Sequence, residues 1–277
     1  MTNERATAFV PGHVTAFFSA HPADEPAAAG SRGAGLTLTD GVEVTVTEGD
    51  SLTVDGDDVE VEPVERVLDT LDVEAAVDVE TDLPIGAGFG VSGAAALGTA
   101  LAANQTFDCG HSENDLIQIA HVAEVEAGTG LGDVVAQAHG GIPIRLEPGA
   151  PGYGRIDAVP ASTRVEYVSF GELSTVDVLA GDTSGLTAAG ERALTTLERN
   201  PRLPTLVAAA QEFTKDAGLL VPEVAEAIDA VEDAGGDASM AMLGRTVFAL
   251  GTGLSDAGYD PAVCRTHPAG MQLLADE

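Results

Sequence analysis

The sequence has almost no lysine and few positive charges of any kind. Lys215 is its single lysine, and Lys and Arg together number 12 against 45 Asp and Glu, which gives a formal net charge of −33 in 277 residues. A surface this acidic repels the phosphates of nucleic acids and of anionic membranes, so we expect neither as a partner. The carboxylates are dispersed along the chain rather than gathered in a tail. That pattern is typical of proteins from extreme halophiles, where concentrated salt screens the self-repulsion.

Other absences narrow the class of protein further. The two cysteines, Cys109 and Cys264, lie far apart and fit no metal spacing, which indicates reduced thiols and a cytoplasmic location. No apolar run approaches the roughly 20 residues of a membrane helix, and the opening MTNERATAFV lacks the pattern of a signal peptide. Tryptophan is absent and aromatic residues make up only 4%, so Ala, Val and Leu must fill the core within a hydrophobic fraction of 44%.

A glycine-rich stretch lies between a predicted strand and a predicted helix. Residues 75–80 alternate like a half-buried strand, and the Ala-rich run through Asn104 predicts a helix. Glycines let backbone N–H groups approach a ligand, and a helix start adds unpaired N–H groups and a positive dipole end. We therefore predict a phosphate-binding loop formed by Pro84, Gly86, Gly88, Gly90, Ser92 and Gly93.

Three phosphate-binding patterns compete for this loop. A Walker loop ends in Lys followed by Ser or Thr, and no lysine is near. A dinucleotide fingerprint, which would indicate an NAD-linked oxidoreductase, matches only in part, although Asp108 lies at a tolerable distance for a ribose contact. About 75 residues also precede the strand of the loop, whereas the fingerprint usually opens its own βαβ unit. The third pattern, P-x-G-x-G-x-G-x-S-x-A-A, resembles the phosphate-binding motif of the GHMP kinases.

Two further segments resemble this family and supply candidate substrate residues. Pro11-Gly12-His13 begins a segment that in GHMP kinases usually ends in Gly-Glu-His, whereas here it runs on through Ser19. Both this segment and the one from Arg145 to Gly154 are similar to those of archaeal pantoate kinases. With so few basic residues in the chain, an arginine inside an apolar strand suits the paired hydrogen bonds of a carboxylate. The resemblance and this chemistry mark Arg145 as a carboxylate contact, with Ser19 and His13 as further substrate-binding residues.

The stretch from His121 to Asp133 carries the candidate catalytic and metal-binding residues. In GHMP kinases a Gly-x-x-Asp turn, a small helix and a Gly-Gly pair follow one another, and residues 130–141 match that layout. Phosphoryl transfer needs a metal ion to neutralise the triphosphate and a group to orient the attacking hydroxyl. The resemblance implies Asp133 as the catalytic residue and Ser92 and Glu124 as Mg²⁺ ligands. His121 shares a helix face with Glu124 and is a fourth candidate for binding the substrate.

The predicted elements indicate an α+β fold in two halves. The resemblance implies a ribosomal-S5-like N-terminal domain over residues 1–155 and a ferredoxin-like C-terminal domain over 156–277. The glycine motif that the family carries in its second half is degenerate here, between Ser239 and Phe248. Ser112, with Asp115 three residues later, is a plausible helix cap. The predicted strands are 7–10, 42–47 and 51–54 (a hairpin), 75–80, 140–146, 164–170 and 174–179, and the predicted helices are 63–71, 114–127, 184–198, 204–217, 222–234 and 239–250.

The expected function is ATP-dependent phosphorylation of a small hydroxy acid with Mg²⁺. The resemblance implies pantoate as the acceptor and 4-phosphopantoate as the product, an early step toward coenzyme A. A homoserine or shikimate kinase is the alternative within the class. An NAD-linked oxidoreductase and an inactive nucleotide-binding protein are alternatives outside it. If the chain associates, a homodimer is the expected assembly.

Overall fold

The computed structural model describes residues 4–171 and 183–275, and the expected α+β fold with two sheets is confirmed there. Strands β1 to β12 are Arg5–His21, Gly30–Thr47, Leu52–Val54, Asp57–Asp58, Ala76–Thr81, Pro143–Glu147, Arg155–Ala158, Arg164–Ser169, Ala238–Ala241, Thr246–Leu250, Ala262–Arg265 and Gln272–Leu273. Helices α1 to α8 are Glu62–Leu71, Val91–Phe107, Glu113–Ala127, Asp133–His139, Ser184–Arg199, Leu203–Ala217, Pro222–Asp233 and Gly253–Asp256.

The first sheet is built on the long antiparallel pair β1 and β2. Its order is β12-β1-β2-β5-β3-β4, and β6 joins β2 to β7. Helix α2 is apolar on nearly all sides and is buried between this sheet and helices α1 and α3. Gly98 lets α2 lie close to the sheet, because a Cβ there would come within 2.5 Å of Val44 Cγ2. This packing fixes the start of α2, and with it the glycine loop, against β1.

The second sheet has the order β11-β8-β10-β9 and is antiparallel throughout. Helices α6 and α7 pack against its β9 strand, and α5 packs on β1 and β2 of the first sheet. The last strand, β12, follows the strands of the second sheet in the chain but joins the first sheet by pairing with β1. The domain boundary after residue 155 stays a prediction. No helix in the described ranges is long and apolar enough to cross a membrane.

Local signals predicted several elements correctly, and two predictions are wrong. The capping box of Ser112 and Asp115 is present at the start of α3. The predicted hairpin of residues 42–47 and 51–54 does not form: β5 occupies that edge of β2, and β3 pairs in parallel with β5. Residues 239–250 were predicted as a helix and instead form the β9–β10 hairpin, because β10 completes its backbone hydrogen bonds with β8 and β9. The predicted strand 174–179 lies outside the described residues.

Candidate active site

The glycine loop has a backbone conformation that favours glycine at three positions. Gly86, Gly88 and Gly90 have φ angles of 75, 92 and 65°, in the left-handed region that favours glycine. Gly90 is the N-cap of α2, and the first backbone bond of the helix is donated by Ala94 N to Gly90 O at 3.0 Å. The N–H groups of residues 91–93 come before that bond and, as in the first turn of any α-helix, have no acceptor within the helix. Which ligand the loop binds stays a prediction.

The degenerate glycine motif packs against this loop. Residues 242–245 form the turn between β9 and β10, which we call the β9–β10 turn. A Cβ on Gly244 would overlap the carbonyl oxygen of Ala87, and a Cβ on Gly88 would lie 2.9 Å from Met242 O. Thr246 Oγ1 donates to Ala87 O at 2.8 Å. The motif therefore contacts the loop without the glycines that the family usually carries.

Asp133 is the first residue of α4 and lies beside His13. His13 Nδ1 is 2.7 Å from Asp133 Oδ1. Burial raises the pKa of Asp133, but the hydrogen bond and charge of His13, the charge of Arg145 and a hydrogen bond from Thr15 outweigh it, so the pKa lies below its usual range. Burial lowers the pKa of His13 despite the neighbouring carboxylate. The pair is therefore an ionised carboxylate that accepts a hydrogen bond from a neutral imidazole.

His13 also fixes the glycine loop. Its backbone N–H donates to Phe89 O at 2.9 Å, one residue before the N-cap of α2. Its side chain is fully buried, and Nε2 has no partner among the described residues. The structure thus connects His13 to Asp133 and to the loop, whereas the sequence suggested that it contacts the substrate.

Glu124 is buried under the start of α2 and has only neutral partners. Ser92 Oγ donates to its Oε1, and Thr129 Oγ1 donates to the same oxygen at 2.8 Å. Burial raises the pKa of Glu124 to about 7; the two hydroxyls oppose the rise and the charge of Asp133 adds to it. No group of three or more His, Cys, Asp or Glu that could hold a metal occurs in the described part of the chain. Ser92 and Glu124 could therefore complete a Mg²⁺ site only together with ligand oxygens.

Arg145 is a buried cation, and part of its guanidinium has no partner within the described residues. Its side chain is 2% exposed, and its Nε and Nη1 have no hydrogen-bond partner in the described ranges. A Cβ on Gly132, next to Asp133, would lie 2.7 Å from Arg145 Nε, so the guanidinium lies against the turn that precedes Asp133. Burial lowers the pKa of Arg145 and the charge of Asp133 opposes that shift. A buried guanidinium with free N–H groups is suited to an anionic ligand.

His121 and Ser19 are already hydrogen-bonded to protein groups. His121 Nε2 donates to Ala29 O at 2.8 Å, and burial lowers the pKa of this histidine. Ser19 Oγ donates to Glu191 Oε1 at 2.7 Å and lies 2.9 Å from His21 Nε2. His121 is close enough to Arg145 for its charge to be felt, whereas the polar contacts of Ser19 are with His21 and Glu191. The structure therefore gathers His13, Asp133, Arg145 and His121, and it leaves Ser19 in a separate polar cluster.

Sequence reasoning missed two polar side chains of this site. Thr129 binds Glu124, and its position just before the Gly-x-x-Asp turn was a usable signal. Gln137 lies one helical turn after Asp133 on α4 and donates to Gly90 O at 2.9 Å. Spacing alone could have placed Gln137 on the face of Asp133. Its partner in the loop could not have been inferred, because that contact spans two distant segments.

Comparisons with known proteins agree with this geometry. The family model "GHMP kinases N terminal domain" matches residues 61–141, which include the glycine loop and Asp133. A pantoate kinase of Thermococcus kodakarensis is 37% identical over 263 residues, covering 88% of this chain and 86% of that protein. A pantoate kinase of Methanocaldococcus jannaschii is 33% identical over 250 residues, covering 87% and 91%.

A solved structure extends the likeness to the whole fold. It is described as a phosphotransferase related to the CoA biosynthesis pathway. It superposes with a TM-score of 0.88 at 32% identity, covering 97% of this chain and 98% of its own. These matches run through both sheets, so the chain belongs to the pantoate kinase family of the GHMP kinases.

Proposed function

We propose that this protein transfers the γ-phosphoryl group of ATP to a hydroxyl of pantoate, forming ADP and 4-phosphopantoate. The observation that carries the proposal is the unpaired, buried guanidinium of Arg145 against the turn that presents Asp133. A small acid that carries both a carboxylate and a hydroxyl fits such a pair. Relatives at 33–37% identity are pantoate kinases, which supports pantoate as that acid.

The triphosphate would lie across the glycine loop. Pro84, Gly86, Gly88, Gly90 and Gly93 shape the loop, and the first-turn N–H groups of α2 would bind phosphate oxygens. Ser92 and Glu124 would hold Mg²⁺ together with those oxygens, and the ion would neutralise the charge of the triphosphate when bound. The buried carboxylate of Glu124, which now has only hydroxyl partners, fits this role.

Asp133 would receive the proton of the attacking hydroxyl. The oxygen of pantoate forms a bond to the γ-phosphorus, the bond from that phosphorus to the β–γ bridging oxygen breaks, and ADP leaves with the electron pair. Asp133 suits this role because its partners keep it ionised. His13 would hold its Oδ1 by the 2.7 Å hydrogen bond and leave Oδ2 for the substrate.

Four residues were predicted to bind the substrate, and we propose different roles for them. Arg145 would bind the carboxylate. His121, buried beside Arg145, could contact a substrate hydroxyl through its second nitrogen. Ser19 donates its proton to Glu191 and would meet a substrate hydroxyl only as an acceptor, and His13 acts through Asp133.

The test is ADP release with a panel of acceptors in high potassium chloride. Pantoate should give the highest kcat/KM among pantoate, homoserine, shikimate and mevalonate. A higher value for homoserine or shikimate would leave the family assignment in place and refute the substrate. Protection from thermal unfolding by ATP with Mg²⁺, and not by NAD(H), separates a kinase from an oxidoreductase that uses the same loop.

Asp133→Asn tests the chemistry separately from binding. A positioned carboxylate contributes typically ~10²–10⁴ in rate, so kcat should fall by about that factor. ATP should bind to the variant nearly as it does to the wild type, as measured by titration. Near-normal turnover of Asp133→Asn would remove this residue from the mechanism.

A further inference from the structure

Gln137 is a buried polar residue for which the proposed reaction has no role. It is the fifth residue of α4, one turn after Asp133, so the two side chains leave the helix on the same face. Its side chain is fully buried at 0% exposure. A buried amide is costly unless its hydrogen bonds are made, and an apolar residue of the same length would avoid that cost. The contacts of Gln137 therefore need an explanation.

The amide group of Gln137 is hydrogen-bonded to the end of the glycine loop. Nε2 donates to Gly90 O at 2.9 Å, and Gly90 is the N-cap of α2. A Cβ on Gly90 would lie 3.0 Å from Gln137 Nε2 and 3.1 Å from Asp133 Cβ. The end of the loop is therefore packed against both residues of α4 at once, and this contact helps to set its distance from Asp133, together with the bonds of His13 to Phe89 O and Asp133.

The acceptor of the same amide lies beside the first turn of α2. Gln137 Oε1 is 3.3 Å from the position of a Cβ on Gly93, and it has no hydrogen-bond partner among the residues that the structure describes. An orphaned buried acceptor in a native protein calls for a functional reason. Here the reason is the bond made by the other end of the amide. The side-chain position that lets Nε2 donate to Gly90 O, and so connects the loop to α4, leaves Oε1 unpaired.

We propose that Gln137 is a positioning residue that connects the glycine loop to the helix of Asp133, so that bound phosphate and the catalytic carboxylate keep a fixed separation. The inference rests on the proposed function, because it assumes that loop and carboxylate act on the same phosphoryl group. Gln137 does not touch the reacting atoms. It acts through Gly90 on one side and through α4 on the other.

The test compares Gln137→Met with a matched glutamine elsewhere. Methionine keeps the length of the side chain and removes the donor. A displacement of about 1 Å can cost on the order of 10²-fold in rate, so we expect kcat to fall about 10- to 100-fold and the KM for ATP to rise. Gln211→Met is the control, because Gln211 Nε2 also donates to a backbone carbonyl, Ala238 O at 2.8 Å, away from the site. Its kcat should stay within about twofold of wild type.

A double-mutant cycle with Asp133→Asn separates positioning from a general loss of structure. If Gln137 acts by placing Asp133, its substitution should lower kcat by no more than about twofold in the Asp133→Asn background, while the rise in the KM for ATP persists. An equal loss of kcat in both backgrounds, or no loss with Asp133 intact, would overturn the proposal. Should Gln137→Met fail to fold, Gln137→Leu repeats the cycle, because leucine also has nothing to donate to Gly90 O and leaves no charge buried.

The result also distinguishes this inference from the function on which it rests. Full turnover by Asp133→Asn alone would refute the proposed chemistry and the positioning role together. A large loss in Asp133→Asn with wild-type kinetics in Gln137→Met would refute only the role of Gln137.

Discussion

Three ionisable side chains of the site differ in how their charge is compensated. Asp133 has His13, and its pKa is lowered. Glu124 has hydroxyl partners, and its pKa is raised to about 7. Arg145 is near the charge of Asp133, but its Nε and Nη1 have no hydrogen-bond partner among the described residues. Burying a charge without a partner costs stability. In the protein without ligands, a bound cation would therefore stabilise ionised Glu124, and a bound anion would stabilise Arg145.

Arg145→Ala should raise the KM for pantoate roughly 10- to 150-fold. That range corresponds to the loss of a charged hydrogen-bonding contact of about 1.5–3 kcal/mol. The KM for ATP should change much less, because the guanidinium lies against the turn that precedes Asp133 rather than against the glycine loop. Steady-state kinetics with each substrate varied in turn measures both values.

Arg155→Ala is the matched control for that substitution. Arg155 lies on the neighbouring strand β7 and pairs on the surface with Glu147 at 3.0 Å. Its loss should leave both KM values unchanged. An equal rise of the two KM values in Arg145→Ala would assign Arg145 to structure rather than to substrate binding.

Glu124 should make the stability of the metal-free protein depend on pH. Because its folded pKa of about 7 lies above the ordinary 4.5, the protonated form stabilises the fold. This contribution is fully present below pH 4.5 and is lost as pH rises through about 7. The loss corresponds to about 3 kcal/mol as an order of magnitude.

Thermal unfolding of wild type and Glu124→Gln at several pH values checks this expectation. The wild type should lose more stability than Glu124→Gln between about pH 5 and pH 8, since glutamine does not titrate. Mg²⁺ with ATP should protect the wild type more at the higher pH, because in the proposed site the ionised carboxylate of Glu124 binds the metal. Parallel pH profiles of the two proteins would contradict the burial of an ionising Glu124.

Among the structural elements, the glycine loop is held on two sides. Helix α4 contacts Gly90 through Gln137, and the β9–β10 turn contacts Ala87 through Gly244 and Thr246. Leu243 in that turn has a φ of 64°, which is costly for a residue other than glycine. A turn that keeps such a conformation beside the loop is a rigid support for it.

Gly244→Ala should displace the glycine loop and weaken the binding of ATP. The new Cβ would overlap Ala87 O, a backbone atom that cannot move away without shifting the loop. We expect the affinity for ATP with Mg²⁺ to fall at least tenfold, which corresponds to about 1.4 kcal/mol. Calorimetric titration measures it. Gly185→Ala is the control, because a Cβ on Gly185 in α5 meets nothing within 4 Å. Unchanged ATP affinity in Gly244→Ala would show that the turn does not support the loop.

Local sequence signals predicted the loop and the caps but not the long-range pairings. The glycines at a strand-to-helix turn and the Ser112 cap are properties of a few adjacent residues, and the structure has both where they were predicted. Residues 239–250 are rich in Met, Ala and Leu, which favour a helix. They nevertheless form β9 and β10, because β10 pairs with β8 on one side and with β9 on the other. The bond of His13 to Asp133 joins residues 120 positions apart, and no local pattern contains it.

At the scale of the whole molecule, the acidic surface sets the ionic conditions that the protein needs. A net charge of −33 repels itself and also repels an anionic substrate. The origin in an extreme halophile stays a prediction from this composition. Raising potassium chloride should therefore raise the thermal unfolding midpoint and lower the KM for pantoate in the wild type, because the Debye length falls to about 3 Å at molar salt.

The same kinetics in Arg145→Ala shows whether the effect comes from the surface. Screening of a distant field should lower the KM for pantoate in the variant as well, from its higher starting value. A KM that rises with salt in the wild type would mean that the attraction to Arg145 is screened more than the surface repulsion. An unfolding midpoint that falls with salt would contradict the predicted adaptation to salt.

The pairing of β12 with β1 has a consequence for the order of events during synthesis. Ala8 pairs with Leu273, so one edge of the first sheet waits for residues translated after the entire second sheet. Contacts between segments this distant in the chain form slowly, and until they form β1 exposes an unpaired edge. On the ribosome, the half that carries the glycine loop would therefore emerge first and be finished last.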